Sequence, residues 1–411
     1  MKQILRFLFP MLFVSACVNP LFAQWVQTNG PHAQLVQCLA ASGENLFAGT
    51  YGGGALFLST DKGASWTQAN SGLTDTLVFA LAVSPQYLFA GTNGGGIFLS
   101  SNEGASWNRI TRSELGNATV RDLMVSDSNI LAATVELGVY TSTNAGITWI
   151  AANAGLPSNI MVYGLANSAT DIFAATNSGV FLSSDTAKSW VGAGLTTVHV
   201  NSVAESGGYL FAGTAGSGIF RSTNKGANWT QANSGLPSDQ ASAYIDAFAV
   251  IGSNIFAGTE GDGVFLSTDN GANWVGINSG LTAGYVLALL IDDTTLFAGT
   301  DHGVWRRPLS EIATSIDKKG NPIPSTFSLL QNYPNPFNPS TIISYTLPKN
   351  APVTLRVYDV LGRQVETLVN ERQSAGSHSV TFDAANLPSG VYFYKLQAGA
   401  YHDTKKLLLL K

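Results

Sequence analysis

The phrase Leu-Phe-Ala-Gly-Thr, or a close variant, occurs seven times, starting at Leu46, Leu88, Ile130, Ile172, Leu210, Ile255 and Leu296. Successive copies are 42, 42, 42, 38, 45 and 41 residues apart. No other feature restricts the fold as strongly. A chain that rewrites one supersecondary unit at roughly this period builds an array, because each unit buries its apolar face only against the next. Four candidate strands fit each unit; in the second they are 78–84, 87–92, 96–100 and 106–110. Four short strands per unit point to a propeller blade, not a solenoid coil. The 43 glycines and a charged fraction of 11% suit short strands joined by tight turns.

A second phrase follows the first. It reads STDKGASW at 59–66, SSNEGASW at 100–107, STNAGITW at 142–149, SSDTAKSW at 183–190, STNKGANW at 222–229 and STDNGANW at 267–274. That is six copies for seven units. After Leu296 the chain reads LFAGTDHGVWRRPLS and supplies no closing Trp segment. The missing piece is at the other end, where QWVQTNG at 24–30 reads like SWTQANSG at 65–72. The expectation is an all-β, seven-bladed ring in which the N-terminal strand completes the seventh blade and covers edges otherwise left unpaired.

The chemistry of the second phrase is that of a hairpin. The Asp carboxylate accepts backbone N–H groups of its own turn, Gly takes the φ > 0 position, and Trp covers the turn. The phrase resembles the Asp-box of the BNR-repeat propellers, known from sialidases, sortilin-type receptors and a propeller resembling a photosystem II assembly factor. The resemblance covers residues 24–310. Asp61, Asp185 and Asp269 alternate with Asn102, Asn144 and Asn224. Asn holds such a turn but cannot exchange a proton, so the phrase is read as structural rather than catalytic. Ala187 stands where the other copies have Gly, and that turn is expected to be distorted. The Gly runs at 52–54 and 94–96 lack the helix and the Lys-Ser/Thr of a phosphate loop and are read as turns.

Variation inside a repeat marks what the scaffold leaves free. Val or Ile recurs at Val36, Val78, Val120, Val162, Val200, Ile245 and Val286, as core packing between blades requires. The next residue varies: Gln37, Phe79, Arg121, Tyr163, Asn201, Asp246, Leu287. So does the residue after each first phrase: Tyr51, Asn93, Val135, Asn177, Ala215, Glu260, Asp301. Both sets fall at one mouth of the channel. The candidate ligand-binding residues are Gln37, Phe79, Arg121, Tyr163, Asn201, Asp246, Glu260 and Asp301, a mixed polar and aromatic lining suited to a glycan or peptide.

No catalytic residue, metal site or cofactor is expected. The sialidase resemblance would imply three arginines on the substrate carboxylate, a Tyr–Glu pair, an Asp and an Arg-Ile-Pro motif. That motif is missing, and the repeat alignment does not bring three of the few arginines together. Xyloglucan hydrolases with these repeats use two propellers, and only one fits here. The chain is read as a non-catalytic binding scaffold for a glycan, peptide or protein; two or more carboxylates, or three arginines, at one mouth would instead favour a glycoside-active hydrolase or lyase. Residues 24–316 carry nine Lys and Arg against twenty Asp and Glu, a poor surface for nucleic acid or anionic membrane.

The two ends concern export. Residues 1–23 read as a signal peptide: Lys2 and Arg6, an apolar stretch from Phe7 to Val18 too short to span a bilayer, and Leu21-Phe22-Ala23 before the cut. Val14-Ser15-Ala16-Cys17 also resembles a lipobox, but cleavage after Ala23 is preferred. Cys38 would then be the mature chain's one cysteine, a buried small hydrophobe. No membrane-spanning segment is expected after cleavage. Residues 311–326 read as a polar linker. About seven short strands over 327–411 suggest a small Ig-like β-sandwich. Asn332-Tyr333-Pro334-Asn335-Pro336-Phe337-Asn338-Pro339, Tyr358-Asp359-Val360-Leu361-Gly362-Arg363, Leu387-Pro388-Ser389-Gly390-Val391-Tyr392 and Lys405-Lys406-Leu407-Leu408-Leu409-Leu410-Lys411 resemble the C-terminal sorting domain of type IX secretion cargo. The resemblance implies engagement of that secretion machinery, and release or display at the outer surface of a Gram-negative bacterium.

Overall fold

The structure is a computed structural model. It describes residues 24–410 apart from 33, 53, 111–113, 127–128, 169, 239–242, 313–326, 333–334, 374–375 and 400. The leader over 1–23 with Cys17, most of the linker, and Tyr333-Pro334 of the tail motif lie outside the described residues. The chain divides into two compact units, with the break after Ile312.

The first unit is a seven-bladed propeller of four-stranded antiparallel sheets. Blade one comprises Leu35–Ser42, Asn45–Tyr51, Leu56–Ser59 and Thr67–Gln68, running outward from the channel. Each inner strand packs against the inner strands on either side, and the first also meets the seventh, so the ring is closed. The second strand explains the recurring phrase. It is buried on both faces, and such a strand reads as a continuous apolar run instead of an alternation. Its glycine answers a close approach. A Cβ on Gly49 would stand 2.5 Å from Cys38 Sγ and 2.8 Å from Cγ1 of Val78 in the next blade.

The second phrase forms the turn its chemistry predicts. Asp61 Oδ1 accepts Ser65 N at 2.8 Å, and Asp61 Oδ2 accepts the Ser65 hydroxyl at 2.6 Å. In blade two, Asn102 Oδ1 accepts Ser106 N while Asn102 Nδ2 donates to Ser106 Oγ, both at 2.9 Å. The serine hydroxyl changes role and the geometry survives. One expectation is corrected: the blade-four turn is not distorted. Ala187 adopts φ +64°, its N–H donates to Ser183 Oγ at 2.9 Å, and Asp185 Oδ1 accepts Ser189 N at 2.9 Å.

Tryptophans stitch the blades. Trp107, Trp190, Trp229 and Trp274 donate their indole N–H groups to the carbonyls of Ala69, Ala152, Ala193 and Ala232 in the preceding blades, at 2.7–2.9 Å. Trp149 differs and donates to Gly146 O within its own turn. The same device closes the ring. Val26–Gln27 pairs with Gly303–Pro308 in the register Val26↔Arg306 and Gln27↔Trp305. Trp25 donates to Ile277 O at 2.8 Å, and Trp66 of blade one donates to Thr28 Oγ1 at 3.0 Å.

The second unit is a β-sandwich of seven strands in two sheets. Ser328–Leu329, Ser340–Leu347 and Gly376–Asp383 form one, and Gln364–Gln373, Ala351–Tyr358, Gly390–Ala398 and Tyr401–Leu409 the other. Alternate residues such as Val353, Leu355 and Val357 face the core shared with Ile343, Phe382, Tyr394 and Leu407. The tail motifs have structural roles. Asn332 N–H donates to the Tyr394 hydroxyl, which itself donates to Leu330 O. The backbone of Phe337 bonds to Leu408 O and to Leu410 N, and Asn335 Oδ1 accepts Leu408 N, so this segment docks beside the last strand. Asp359 accepts the N–H groups of Leu361 and Arg363 and pairs with the Arg363 guanidinium at 2.7 Å, closing a hairpin turn.

Candidate ligand-binding mouth of the propeller

Every inner strand breaks register at the same place. Its pairing with the second strand jumps from Val36 to Cys38, Val78 to Ala80, Val120 to Asp122, Val162 to Gly164, Val200 to Ser202, Ile245 to Ala247 and Val286 to Ala288. The skipped residue is therefore Gln37, Phe79, Arg121, Tyr163, Asn201, Asp246 or Leu287. A bulge leaves one residue unpaired and re-aims its side chain. The positions that vary in sequence are thus the bulged ones, seven to a ring, and all are half-buried. The residues ending the second strands sit at the same mouth. Several bridge to the next blade, as Tyr51 does to Leu77 and Glu260 to Tyr285.

Six of the eight candidates join one connected set. Tyr51 stacks on Phe79 with ring centroids 6.0 Å apart, and the Arg121 guanidinium lies over the Phe79 ring at 4.7 Å. Tyr163 stacks on His199 at 4.5 Å, and both feel the Arg121 charge. Asn201 Nδ2 donates to Asp246 Oδ1 at 2.8 Å, and the Glu260 carboxyl lies alongside Asp246. Asp246 also feels Arg121. Arg121 belongs to blade three and Asp246 to blade six, as far round as a seven-blade ring allows. The other two candidates stand apart. Among the described residues no hydrogen bond ties Gln37 to the set, and Asp301 pairs with His302 Nδ1 at 3.0 Å.

Electrostatics sharpen the picture. Burial lowers the affinity of Arg121 for its proton, partly offset by Asp246. Among the described residues its guanidinium donates no hydrogen bond and joins no ion pair; its partner is the Phe79 ring. Asp246 is pushed up to about 7, first by burial and then by the neighbouring Glu260 charge. Its Oδ2 is buried and meets no donor among the described residues. Two carboxyl groups this close share the site comfortably only when one holds a proton.

Three contributors were not among the candidates: Tyr51, which belonged to the second variable set, His199 and Asp122. His199 precedes its inner strand at a position occupied elsewhere by Leu35, Leu77, Thr119, Met161, Tyr244 and Tyr285, so its variability was a usable signal. Asp122 is the one charged residue where the other blades carry Cys38, Ala80, Gly164, Ser202, Ala247 and Ala288. Its Oδ2 accepts Leu165 N of blade four at 2.7 Å and its Oδ1 accepts Leu123 N at 2.8 Å, while burial raises it to about 6. Both oxygens are occupied by backbone, which makes Asp122 a strut between blades. No group of three or more metal-ligating side chains occurs among the described residues. Cys38 directs its Sγ at Val78 O, and burial raises its pKa.

The comparisons with known proteins agree with both units. Residues 331–410 match the secretion system C-terminal sorting domain. The tail directs type IX export, and the chain is secreted or held at the outer cell surface of a Gram-negative bacterium. No curated protein matches the sequence. Among solved structures, the extracellular domain of a one component system from B. thetaiotaomicron is 18% identical with a TM-score of 0.58, over 78% of this chain and 46% of that one. YCF48 bound to D1 peptide is 14% identical with a TM-score of 0.55, over 70% and 95%. A GH74 xyloglucanase from Xanthomonas campestris is 17% identical with a TM-score of 0.56, over 86% and 63%. At these identities the likeness is one of fold. The chain spans less than half the length of the first.

Proposed function

We propose that this protein is a non-catalytic binding scaffold, exported by its sorting domain, whose propeller takes a glycan or peptide at the mouth where the inner strands begin. The observation that carries this reading is Arg121, a half-buried cation without an ion pair, set among stacked aromatic rings opposite a carboxyl pair. Stacked rings and a few converging polar groups are what a small-ligand site is built from. The similar fold that carries a bound peptide is consistent with such use.

The rival reading, a glycoside-active enzyme, has one observation in its favour: Asp246 and Glu260 meet at the mouth. Their arrangement argues against it. Glycosidase carboxyl groups flank the scissile bond about 5–9.5 Å apart. Here the two lie on one blade, within hydrogen-bonding reach of each other. The third carboxylate nearby, Asp122, is held by backbone N–H groups.

The test is a glycan and peptide binding screen of the full chain, each hit being re-measured with the Arg121→Ala, Asp246→Ala double variant and incubated with the protein to look for cleavage. Binding abolished by the double variant, with every hit recovered intact, is the expected outcome. Cleavage of a hit that depends on Asp246 or Glu260 would replace the scaffold reading with the enzymatic one. Binding indifferent to both substitutions would move the site elsewhere.

A further inference from the structure

The mouth holds two opposite charges that face each other and do not meet. Arg121 and Asp246 interact through space, yet no ion pair joins them. Among the described residues neither forms an ion pair with any other side chain. Asp122 follows Arg121 in the chain and attracts it through space, but its oxygens are turned to the N–H groups of Leu123 and Leu165 and make no contact with the guanidinium. Asn201 occupies one oxygen of Asp246, and the other meets only a second acid group. A half-buried charge that makes no direct ion pair is incompletely compensated, so the gap between the two is a place where a complementary ligand gains most.

The sign of each wall restricts that ligand. A plain anion drawn to Arg121 would meet Asp246 and Glu260 across the channel, in a propeller already rich in carboxylates. A plain cation drawn to the carboxyl pair would meet Arg121. A neutral sugar would leave both charges unanswered. A molecule with a carboxylate at one end and an ammonium at the other answers both. The guanidinium offers a carboxylate a two-pronged fork, and Asp246 Oδ2 offers an ammonium an acceptor with no other donor. The ring pairs Tyr51–Phe79 and Tyr163–His199 stand in the blades on either side of Arg121, or next to them, and present apolar faces to a side chain that the ligand carries beside its charges.

We propose that the propeller mouth binds a small zwitterion of the α-amino acid type, its carboxylate on Arg121 and its ammonium on the Asp246–Glu260 pair. This rests on the binding-scaffold reading and narrows it.

The test titrates the full chain by calorimetry with glycine, L-leucine and L-phenylalanine, each beside its N-acetyl and amide derivatives. At least one free amino acid is expected to bind. Blocking either end should weaken it by about tenfold or more, each such step being a lost charge-assisted contact. Arg121→Gln should erase the preference for the acid over the amide. Asp246→Asn should erase the preference for the free amine over the N-acetyl form, and Glu260→Gln carries that comparison if Asp246→Asn does not fold. Failure of all three free amino acids at about millimolar concentration, the weak limit of specific binding, overturns the proposal. Equal affinity for free and blocked forms also overturns it. Binding of glucuronate through Arg121, without response to amino acids, overturns the zwitterion while leaving the mouth as the binding site.

Discussion

At the scale of single residues, the informative positions are those where one repeat departs from the others. Gly63, Gly104, Gly146 and Gly271 sit where an added Cβ would come within 2.5–2.7 Å of the Phe297, Phe47, Phe89 and Phe211 rings of the preceding blades. Blade three alone has Leu131 in place of that Phe, and blade four alone has Ala187 in place of the Gly. The two pack in one core cluster. The smaller side chain makes room for the methyl group, and that room helps Ala187 persist in the left-handed region. Leu131→Phe is expected to cost about 1–3 kcal/mol by overpacking against Ala187. Ala187→Gly should be nearly neutral, since relief of about 1 kcal/mol of backbone strain offsets the void it opens. The double variant should recover at least about 1 kcal/mol of the Leu131→Phe loss, a coupling that a urea-unfolding cycle measures.

Titration is a property of residues too. Asp246 and Asp122, facing Glu260, Asn201, Arg121 and the backbone of Leu165, have folded-state pKa values raised to about 7 and about 6. An acid held above its unfolded value of about 4 loses stability as pH rises through that window. Asp61 and Asp185, lowered to about 2 by their turns, lose theirs as pH falls from about 4 to 2. Thermal unfolding should therefore show a higher melting temperature at pH 5 than at pH 8. Asp246→Asn should shrink that difference, and an unchanged difference would place the titration elsewhere.

At the scale of elements, the inner strand and the closing strand do different work. The inner strand spends one residue per blade on a bulge, and thereby presents seven side chains whose identity the ladder does not dictate. The closing strand is only Val26–Gln27, two ladder positions, so most of its hold comes from beyond the ladder. Trp25 is 2% exposed and its indole N–H donates to Ile277 O. Trp25→Phe keeps an aromatic ring and removes the donor, while Ile277 O retains its hydrogen bond from Arg307 Nη1 at 2.6 Å. The expected cost is that of one hydrogen bond, about 0.5–1.5 kcal/mol, read from the denaturant midpoint. Removing residues 24–30 should do more, exposing the outer edge of the seventh blade and promoting association through it, visible by light scattering.

At the scale of the whole molecule, export belongs to the sandwich, and the recognition proposed above would belong to the propeller. The sandwich has its own core, in which tail-motif residues such as Phe337, Tyr392 and Leu407 are buried together. Deleting residues 313–411 should leave the propeller folded and abolish delivery to the medium or outer surface, with the shortened chain recovered from the cell in fractionation. Surface delivery of the shortened chain would assign export to some other part of the molecule.

The number of blades, the partner of the N-terminal strand and the chemistry of the turns could all be read along the chain. Each is a local pattern of apolar residues, Asp or Asn, Gly and Trp, repeated because each blade solves the same local problem. The variable positions were legible as well, but not what they do. Nothing along the chain says that Phe79, Arg121 and Asp246 occupy bulges, because a bulge is a mismatch between two strands. Nor does it say that Arg121 and Asp246, 125 positions apart, look across one channel, or that Leu131 makes space for Ala187. Those facts depend on the angle through which each blade is turned from the last. Short-range sterics and hydrogen bonding fixed the blade; only closing seven of them into a ring decided which side chains meet.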